Sequence, residues 1–231
     1  MKKILFLILL LFCTLNNCFA VDDSVIVREQ TIQGKIDDVG LKILNANKID
    51  KRIIFVYDKA EKKSLLKSAD EVTKRQIVLY ENDIKFIDNE DELAAFLSRG
   101  ISIALRSYGG IWNGGLSAIE VKIAPKIYEI VADKRAVDFM VNAGYDPIGL
   151  ITYIHKAFPQ KRFDTFSHTN LTSKRLAIIY EYIYTKYPYF LANNKYFETD
   201  SYQNFLLTSQ YNRRLLENKI KEGTHEELKY E

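Results

Sequence analysis

Cysteine is nearly absent from this chain of 231 residues, which has only Cys13 and Cys18. Both lie in an N-terminal segment that we expect to be removed, so the mature chain has no disulfide, thiolate metal site or cysteine nucleophile. Proline and glycine are also scarce, with four and ten residues, which excludes a collagen-like or low-complexity protein. No long apolar run occurs after the first twenty residues.

Charge of one sign is not in excess either. Lys and Arg number 33 against 30 Asp and Glu, and Lys2 and Lys3 belong to the N-terminal segment, which leaves 31 cations in the mature chain. This balance excludes a nucleic-acid-binding protein that relies on electrostatic attraction to the phosphates, because such binding needs a basic surface. Hydrophobic residues make up 47% of the chain and aromatic residues 13%, which suffices for a packed core and excludes a disordered protein.

The first twenty residues predict a secretory signal. Lys2 and Lys3 precede the apolar run Ile4–Phe12, and Cys18-Phe19-Ala20 places small residues where a signal peptidase cleaves. A nine-residue run is too short to span a bilayer, so we expect export to the periplasm or cell envelope. The chain would associate with a membrane only if the signal stays uncleaved or if Cys18, in a loose lipobox, is lipidated.

The remaining pattern predicts one mostly helical α+β domain with a small β-sheet near its start. Strands are predicted at Ile53–Tyr57 and Gln76–Tyr80, where β-branched and aromatic residues cluster. Helical periodicity predicts that the other elements are helices. One follows Asn89 and continues to Leu105, and the others span 32–47, 116–143, 147–158, 171–187 and 202–221. The domain is expected to span 21–222, ahead of a charged tail at 223–231 that we expect to be disordered.

Four segments in the middle of the chain carry recognisable motifs. They are NEDELA at 89–94, EIVAD at 129–133, AVDFMVNAGYDP at 136–147, and Ser167-His168 followed by Arg175. In this order they resemble the HtpX-like zinc metallopeptidases, the family that includes the CAAX prenyl peptidases and several bacterial envelope peptidases. The resemblance implies a single zincin-like domain, and its most specific part is 89–175.

The resemblance also implies roles for individual residues. Glu129 would be the third zinc ligand, Asp133 would support the site, and His168 and Arg175 would line the catalytic cleft. Gln76–Tyr80 would be the edge strand that aligns a substrate through main-chain hydrogen bonds.

The catalytic motif of that family, HExxH, is missing. Counted from the acidic lead-in, its place is taken by Arg99-Gly100-Ile101-Ser102-Ile103, and the chain contains only three histidines, none in such a motif. Arg99 and Ile103 replace the two ligating His and Gly100 replaces the Glu that activates water. We therefore expect no intact catalytic residue, no bound metal and no cofactor, with Glu129 the single zinc-ligand position retained.

Two interpretations of Arg99 remain. It is either a solvated residue on a degenerate helix or a buried cation that forms a bidentate ion pair with Glu129 in the vacated metal position, with Ile103 closing the site and His168 near its mouth. A serine hydrolase that uses Ser102 or Ser167 with His168 is disfavoured, since no nucleophile elbow accompanies them.

The sequence thus predicts an exported pseudo-peptidase that binds a polypeptide or an envelope protein partner. Two alternatives stay open: an active metalloendopeptidase of the same family with unusual ligands, and a purely structural envelope protein. The partner, the oligomeric state and any residual peptidase activity are not determined by the sequence.

Overall fold

A computed structural model describes residues 23–62, 75–108, 125–158, 171–208 and 210–223. These residues form mostly helices with one small sheet, which confirms the α+β, mostly helical class. In chain order the elements are α1 (Asp23–Ala46), β1 (Ile54–Asp58), β2 (Gln76–Tyr80), α2 (Glu81–Ile84), α3 (Glu90–Ala104), α4 (Pro125–Asn142), α5 (Ile148–Ala157), α6 (Leu171–Lys186), α7 (Pro188–Ala192), α8 (Asp200–Thr208) and α9 (Gln210–Glu222).

Helix α3 forms the centre of the fold. Every residue from Asp91 to Ala104 is buried, and the helix packs against α1, α4, α5 and β2. A helix covered on all sides is expected to be apolar around its whole circumference. Helix α3 departs from this rule because it also buries Asp91, Glu92 and Arg99, each of which needs a partner inside the protein.

The start of α3 follows from its sequence. The side chain of Asn89 accepts a hydrogen bond from the Glu92 amide at 3.1 Å and so caps the helix, as predicted. Three acidic residues in the first turn interact favourably with the positive end of the helix dipole.

The sheet consists of two parallel strands, with Ile54 beside Gln76 and Asp58 beside Tyr80. One face is buried under the helices through Phe55, Ile77 and Leu79, while the other face is partly exposed. The buried face fixes the sheet against α1 and α3.

Several boundaries differ from the predictions. Helix α1 begins at Asp23 rather than near Ile32; its first turns leave Ile26 and Val27 exposed, so they carry no core-facing periodicity. Helix α4 begins at Pro125, and the predicted earlier part at 116–124 lies outside the described residues. The predicted helix at 202–221 corresponds to α8 and α9, and residue 209 between them lies outside the described residues.

The end of α4 has the predicted form. Gly144 has a φ of 78°, a left-handed conformation that other residues adopt at a cost, and the Tyr145 amide donates to the carbonyl of Met140 at 2.9 Å. The signal segment and nearly all of the charged tail lie outside the described ranges. Of the helices that the structure describes, none has the length and apolarity needed to cross a membrane.

Gly100 permits α3 to approach β2 closely. A Cβ atom at this position would lie 2.9 Å from both Cδ1 and Cγ2 of Ile77, which is nearer than packed carbon atoms come. By contrast, a Cβ at Gly34 on the exposed side of α1 would meet no atom within 4 Å. The two helical glycines therefore offer a matched pair for testing the packing.

We expect Gly100→Ala to lower the free energy of unfolding by about 1–3 kcal/mol, because Ile77 must move to admit the methyl group. Gly34→Ala should raise it by about 0.5–1 kcal/mol, the ordinary gain from removing a glycine inside a helix. Urea unfolding of both variants provides the measurement. Equal stabilisation by the two substitutions would contradict the close contact between α3 and β2.

Candidate functional site

Four charged side chains meet where α3, α4 and α6 pack together. They are Arg99 on α3, Glu129 and Asp133 on α4, and Arg175 on α6. Arg99 and Asp133 are buried, with side-chain exposures of 2% and 1%, whereas Glu129 and Arg175 retain 23% and 18%. We call these four residues the charge cluster.

Asp133 is the hub of the charge cluster. Arg99 Nε donates to Asp133 Oδ1 at 2.8 Å. Arg175 binds the same carboxylate as a fork, with Nε 2.5 Å from Oδ2 and Nη2 2.7 Å from Oδ1. The other side of the Arg99 guanidinium forms an ion pair with Glu129 through Nη2 and Oε2. Two cations and two carboxylates thus balance one another inside the protein.

The pKa values show how Arg99, Asp133 and Arg175 affect one another. Burial, together with the nearby cation Arg175, lowers the pKa of Arg99 to about 10 against the opposing effect of Asp133. Arg99 therefore remains a cation at neutral pH. For Asp133, burial would raise the pKa, but Arg175 and Arg99 outweigh it and hold the pKa of this carboxyl below its usual value of 3.8.

The predicted ion pair between Arg99 and Glu129 is confirmed, and the solvated interpretation of Arg99 is wrong. The predicted bidentate geometry is also wrong. Arg99 contacts Glu129 through a single nitrogen and gives its Nε to Asp133, and the two-nitrogen fork is made by Arg175. The reason is spacing, since Glu129 and Asp133 lie one turn apart on α4 and both face α3.

The charge cluster does not fit a zinc ion. A catalytic zinc site needs three protein ligands and one open position. At the two positions where the motif resemblance puts the ligating His stand the guanidinium of Arg99 and the side chain of Ile103, both buried, and Glu129 is already paired with Arg99. Across the described ranges, no three His, Cys, Asp or Glu side chains are grouped so that they could hold a metal.

Packing leaves no room for a side chain at position 100, where the motif resemblance puts the catalytic Glu. Gly100 faces Ile77 of β2, and even a methyl group at this position would be too close to it. A longer acidic side chain would need both β2 and α3 to move apart. His168 and Ser167, predicted to lie near the mouth of the site, fall outside the described residues.

The acidic lead-in of α3 has a structural role. Glu92 accepts hydrogen bonds at 2.7 Å from each of the Thr152 hydroxyl, the Lys156 ammonium and the Asp88 amide. Because Glu92 is 1% exposed, these bonds offset the cost of burying its charge.

Asp91 connects the two longest motif segments. It accepts from the Asp146 amide at 3.0 Å and from the Tyr196 hydroxyl at 2.6 Å, and it pairs with Lys195. Gly149 allows this contact, because a Cβ there would lie 2.8 Å from that of Asp91. Burial raises the pKa of Asp146 to about 6, with a smaller contribution from Asp91.

Sequence reasoning missed the partners Thr152, Lys156 and Tyr196. Their spacing from the acids, from about 60 to more than 100 residues, gives no local signal. It also missed the direct bonds from Asp133 to both arginines. A signal for Asp133 did exist, because it follows Glu129 by four residues on the same helical face.

The outer edges of the two strands differ. In a parallel pair, alternate residues point their main-chain groups away from the partner strand. On β1 this outer edge is covered, since Gln33 of α1 donates to the Phe55 carbonyl at 3.1 Å and accepts from the Tyr57 amide at 2.8 Å. On β2 the outward-pointing groups belong to Gln76, Val78 and Tyr80.

The Tyr80 amide donates to the side chain of Asp83 at 3.1 Å, which ends the edge of β2. For Gln76 and Val78, no hydrogen-bond partner on the outer side occurs among the residues that the structure describes. Gln76–Val78 is therefore an unpaired stretch of strand within that part of the chain.

Comparisons of the chain with protein-family models, with curated proteins and with solved structures find no match. The resemblance to the HtpX-like metallopeptidases thus rests on the sequence motifs.

We expect Asp133→Asn to lower the free energy of unfolding by about 3–5 kcal/mol at neutral pH, because it removes the carboxylate shared by the buried Arg99 and the partly buried Arg175. Glu129→Gln should cost about 1–3 kcal/mol, since Glu129 is partly exposed and serves one cation. Chemical unfolding gives both values, with Asp50→Asn, an exposed acid, as the control. A cost for Asp133→Asn as small as that of the control would contradict the role of Asp133 as the hub.

The same carboxyl determines a pH dependence. The folded pKa of Asp133 lies below the unfolded value, so its stabilisation is complete above 3.8 and is lost as the pH falls below that value. Asp133→Asn should flatten the acid limb of the stability curve relative to wild type. An acid limb of unchanged steepness would contradict this assignment.

Proposed function

We propose that this chain is an exported pseudo-peptidase with a zincin-like framework, which binds an extended polypeptide in the bacterial envelope. One observation carries the proposal: a buried arginine, Arg99, stands between Glu129 and Asp133 where the motif resemblance puts a zinc ligand. The guanidinium of Arg99 held there opposes the binding of a zinc ion at the same place, because the two positive charges repel each other. Without a metal-bound water and without the Glu at position 100, the hydrolytic chemistry of the family has neither nucleophile nor base.

The edge of β2 supports polypeptide binding. Strand addition uses main-chain hydrogen bonds, so it needs no catalytic group and tolerates many sequences. Gln76 and Val78 point their main-chain groups outward, and both the β1 side and the Tyr80 end of β2 are already bonded. A polypeptide would therefore align along Gln76–Val78, on the strand that the resemblance assigns to substrate alignment.

The metal content separates the pseudo-peptidase from an active enzyme with unusual ligands. Protein purified without chelator and equilibrated with zinc should retain no stoichiometric zinc after desalting, since Glu129 is neutralised by Arg99. A chelator should leave its melting temperature unchanged. Retention of about one zinc per chain would contradict the proposal and favour the metalloendopeptidase alternative.

Polypeptide binding is tested at Val78. Its N–H points away from β1, so Val78→Pro removes an outward donor without removing a bond of the sheet. We expect fluorescein-labelled casein, an unfolded polypeptide, to bind the wild type and to bind Val78→Pro about ten-fold more weakly. Fluorescence anisotropy measures both affinities.

Val78→Thr is the matched control, because it keeps the N–H and the β-branched shape and should bind as the wild type does. Thermal melts of the two variants check that the fold is retained. Equal affinities for Val78→Pro and Val78→Thr would contradict strand addition at this edge. A wild type that does not bind casein would favour the purely structural alternative.

A further inference from the structure

A pocket lies between α1 and the segment that joins β2 to α3. Its volume is about 390 Å³, within the range of pockets that hold small ligands or buried side chains. It is separate from the charge cluster, and none of its lining residues takes part in the cluster. We call it the α1/α3 pocket.

The interior of the α1/α3 pocket is apolar. Helix α1 contributes one wall, and β2, α2 and α3 contribute the other, with the side chains Ile32, Ile36, Val39, Leu79, Ile84 and Leu93. Four of these six side chains belong to the buried core, so the walls are held in place by packing rather than by solvent-facing loops. Such a surface favours an apolar group of matching size, which it removes from water.

The rim carries an excess of carboxylates. Asp38 on α1, with Asp88 and Glu90 at the start of α3, faces one ammonium, that of Lys35. The charge of Asp88 is offset by Lys156 at 2.6 Å. Glu90 accepts a hydrogen bond from Tyr145 at 3.0 Å, which leaves its charge intact. Lys42, which stacks on the Tyr145 ring, lies outside the lining.

The pKa of Tyr145 responds to the carboxylates at this end of the pocket. Its pKa is raised, first by burial, then by the hydrogen bond to Glu90 and by the charges of Glu90, Asp91 and Asp38. Removing a proton from the phenol is opposed chiefly by burial and, to a smaller extent, by these carboxylates. The field of these carboxylates attracts a cation placed beside the apolar interior.

We propose that the α1/α3 pocket binds a polypeptide segment that inserts large apolar side chains and places a Lys or Arg against Asp38 and Glu90. The volume accommodates the apolar side chains, and the carboxylates at the rim select the charge beside them. The inference that the occupant is a polypeptide rests on the proposed function. The α1/α3 pocket itself is a different surface from the edge of β2. Strand addition would be tolerant of sequence, and the pocket would add a preference for basic apolar segments.

Two capped tetrapeptides of opposite charge test the preference. Their sequences are Lys-Leu-Phe-Lys and Glu-Leu-Phe-Glu, which share the apolar pair and differ only in the flanking charge. By calorimetry or NMR titration, we expect the basic peptide to bind about ten-fold more tightly than the acidic one, and the difference to shrink at high salt. Equal binding of both peptides, or binding of neither, would overturn the proposal.

Two substitutions locate the binding. Asp38→Asn should lower the affinity for the basic peptide about three-fold. Asp50→Asn, which changes another exposed acid, should leave this affinity unchanged. Ile32→Trp should fill the pocket and abolish binding, while Leu41→Trp, on the exposed face of α1, should not. Thermal melts check that each variant is folded. Binding that survives Ile32→Trp in a folded protein would place the peptide elsewhere and overturn the proposal.

Val78→Pro distinguishes the two surfaces. It should weaken casein while the basic tetrapeptide still binds, because the tetrapeptide enters the pocket rather than pairing with β2. If casein binding depended on Val78 but the tetrapeptide did not bind, the proposal of binding in the α1/α3 pocket would be overturned. The proposed function would not be affected. If Val78→Pro abolished binding of the basic tetrapeptide, the peptide would be pairing with β2, and the proposal that it binds in the α1/α3 pocket would be overturned.

Discussion

The carboxylate of Asp133 is the interaction on which the centre of this protein depends. Helix α3 is covered on every side, yet it carries Arg99 in its middle. A buried guanidinium is tolerable only when carboxylates surround it, and Asp133 meets that need while also binding Arg175. Helices α3, α4 and α6 are thereby tied at one point, and Glu129 completes the neutral set. The same arrangement fills the position at which the motif resemblance puts a metal.

The N-terminal turn of α3 provides a second constraint. Its acids bind the amide, hydroxyl and ammonium groups of α5 and of the segment before α8, so the NEDELA and GYDP motifs are in contact. These bonds hold the helices in place. Burial in this region raises the pKa of Asp146 to about 6.

Much of the fold could be predicted from local patterns. The strands, the Asn89 cap, the Gly144 end of α4 and the helical character of the second half follow from spacing and from residue preferences, and the structure agrees with them. Part of the charge cluster was also predictable, because losing the metal leaves Glu129 in need of a cation. The start of α1 was not predictable from periodicity, since the side chains described at 26–31 include none that is buried.

The sequence by itself determined that this chain has too few histidines, and no cysteine after Cys18, for the zinc chemistry that its motifs resemble. It also determined the mostly helical class, because periodicity and caps are local properties. The tertiary structure alone decided that Asp133 lies between two arginines, that Ile77 closes the position of Gly100, and that an apolar pocket opens between α1 and α3. Each of these depends on residues far apart in the chain, and their side chains meet only because the core packs the helices in one way.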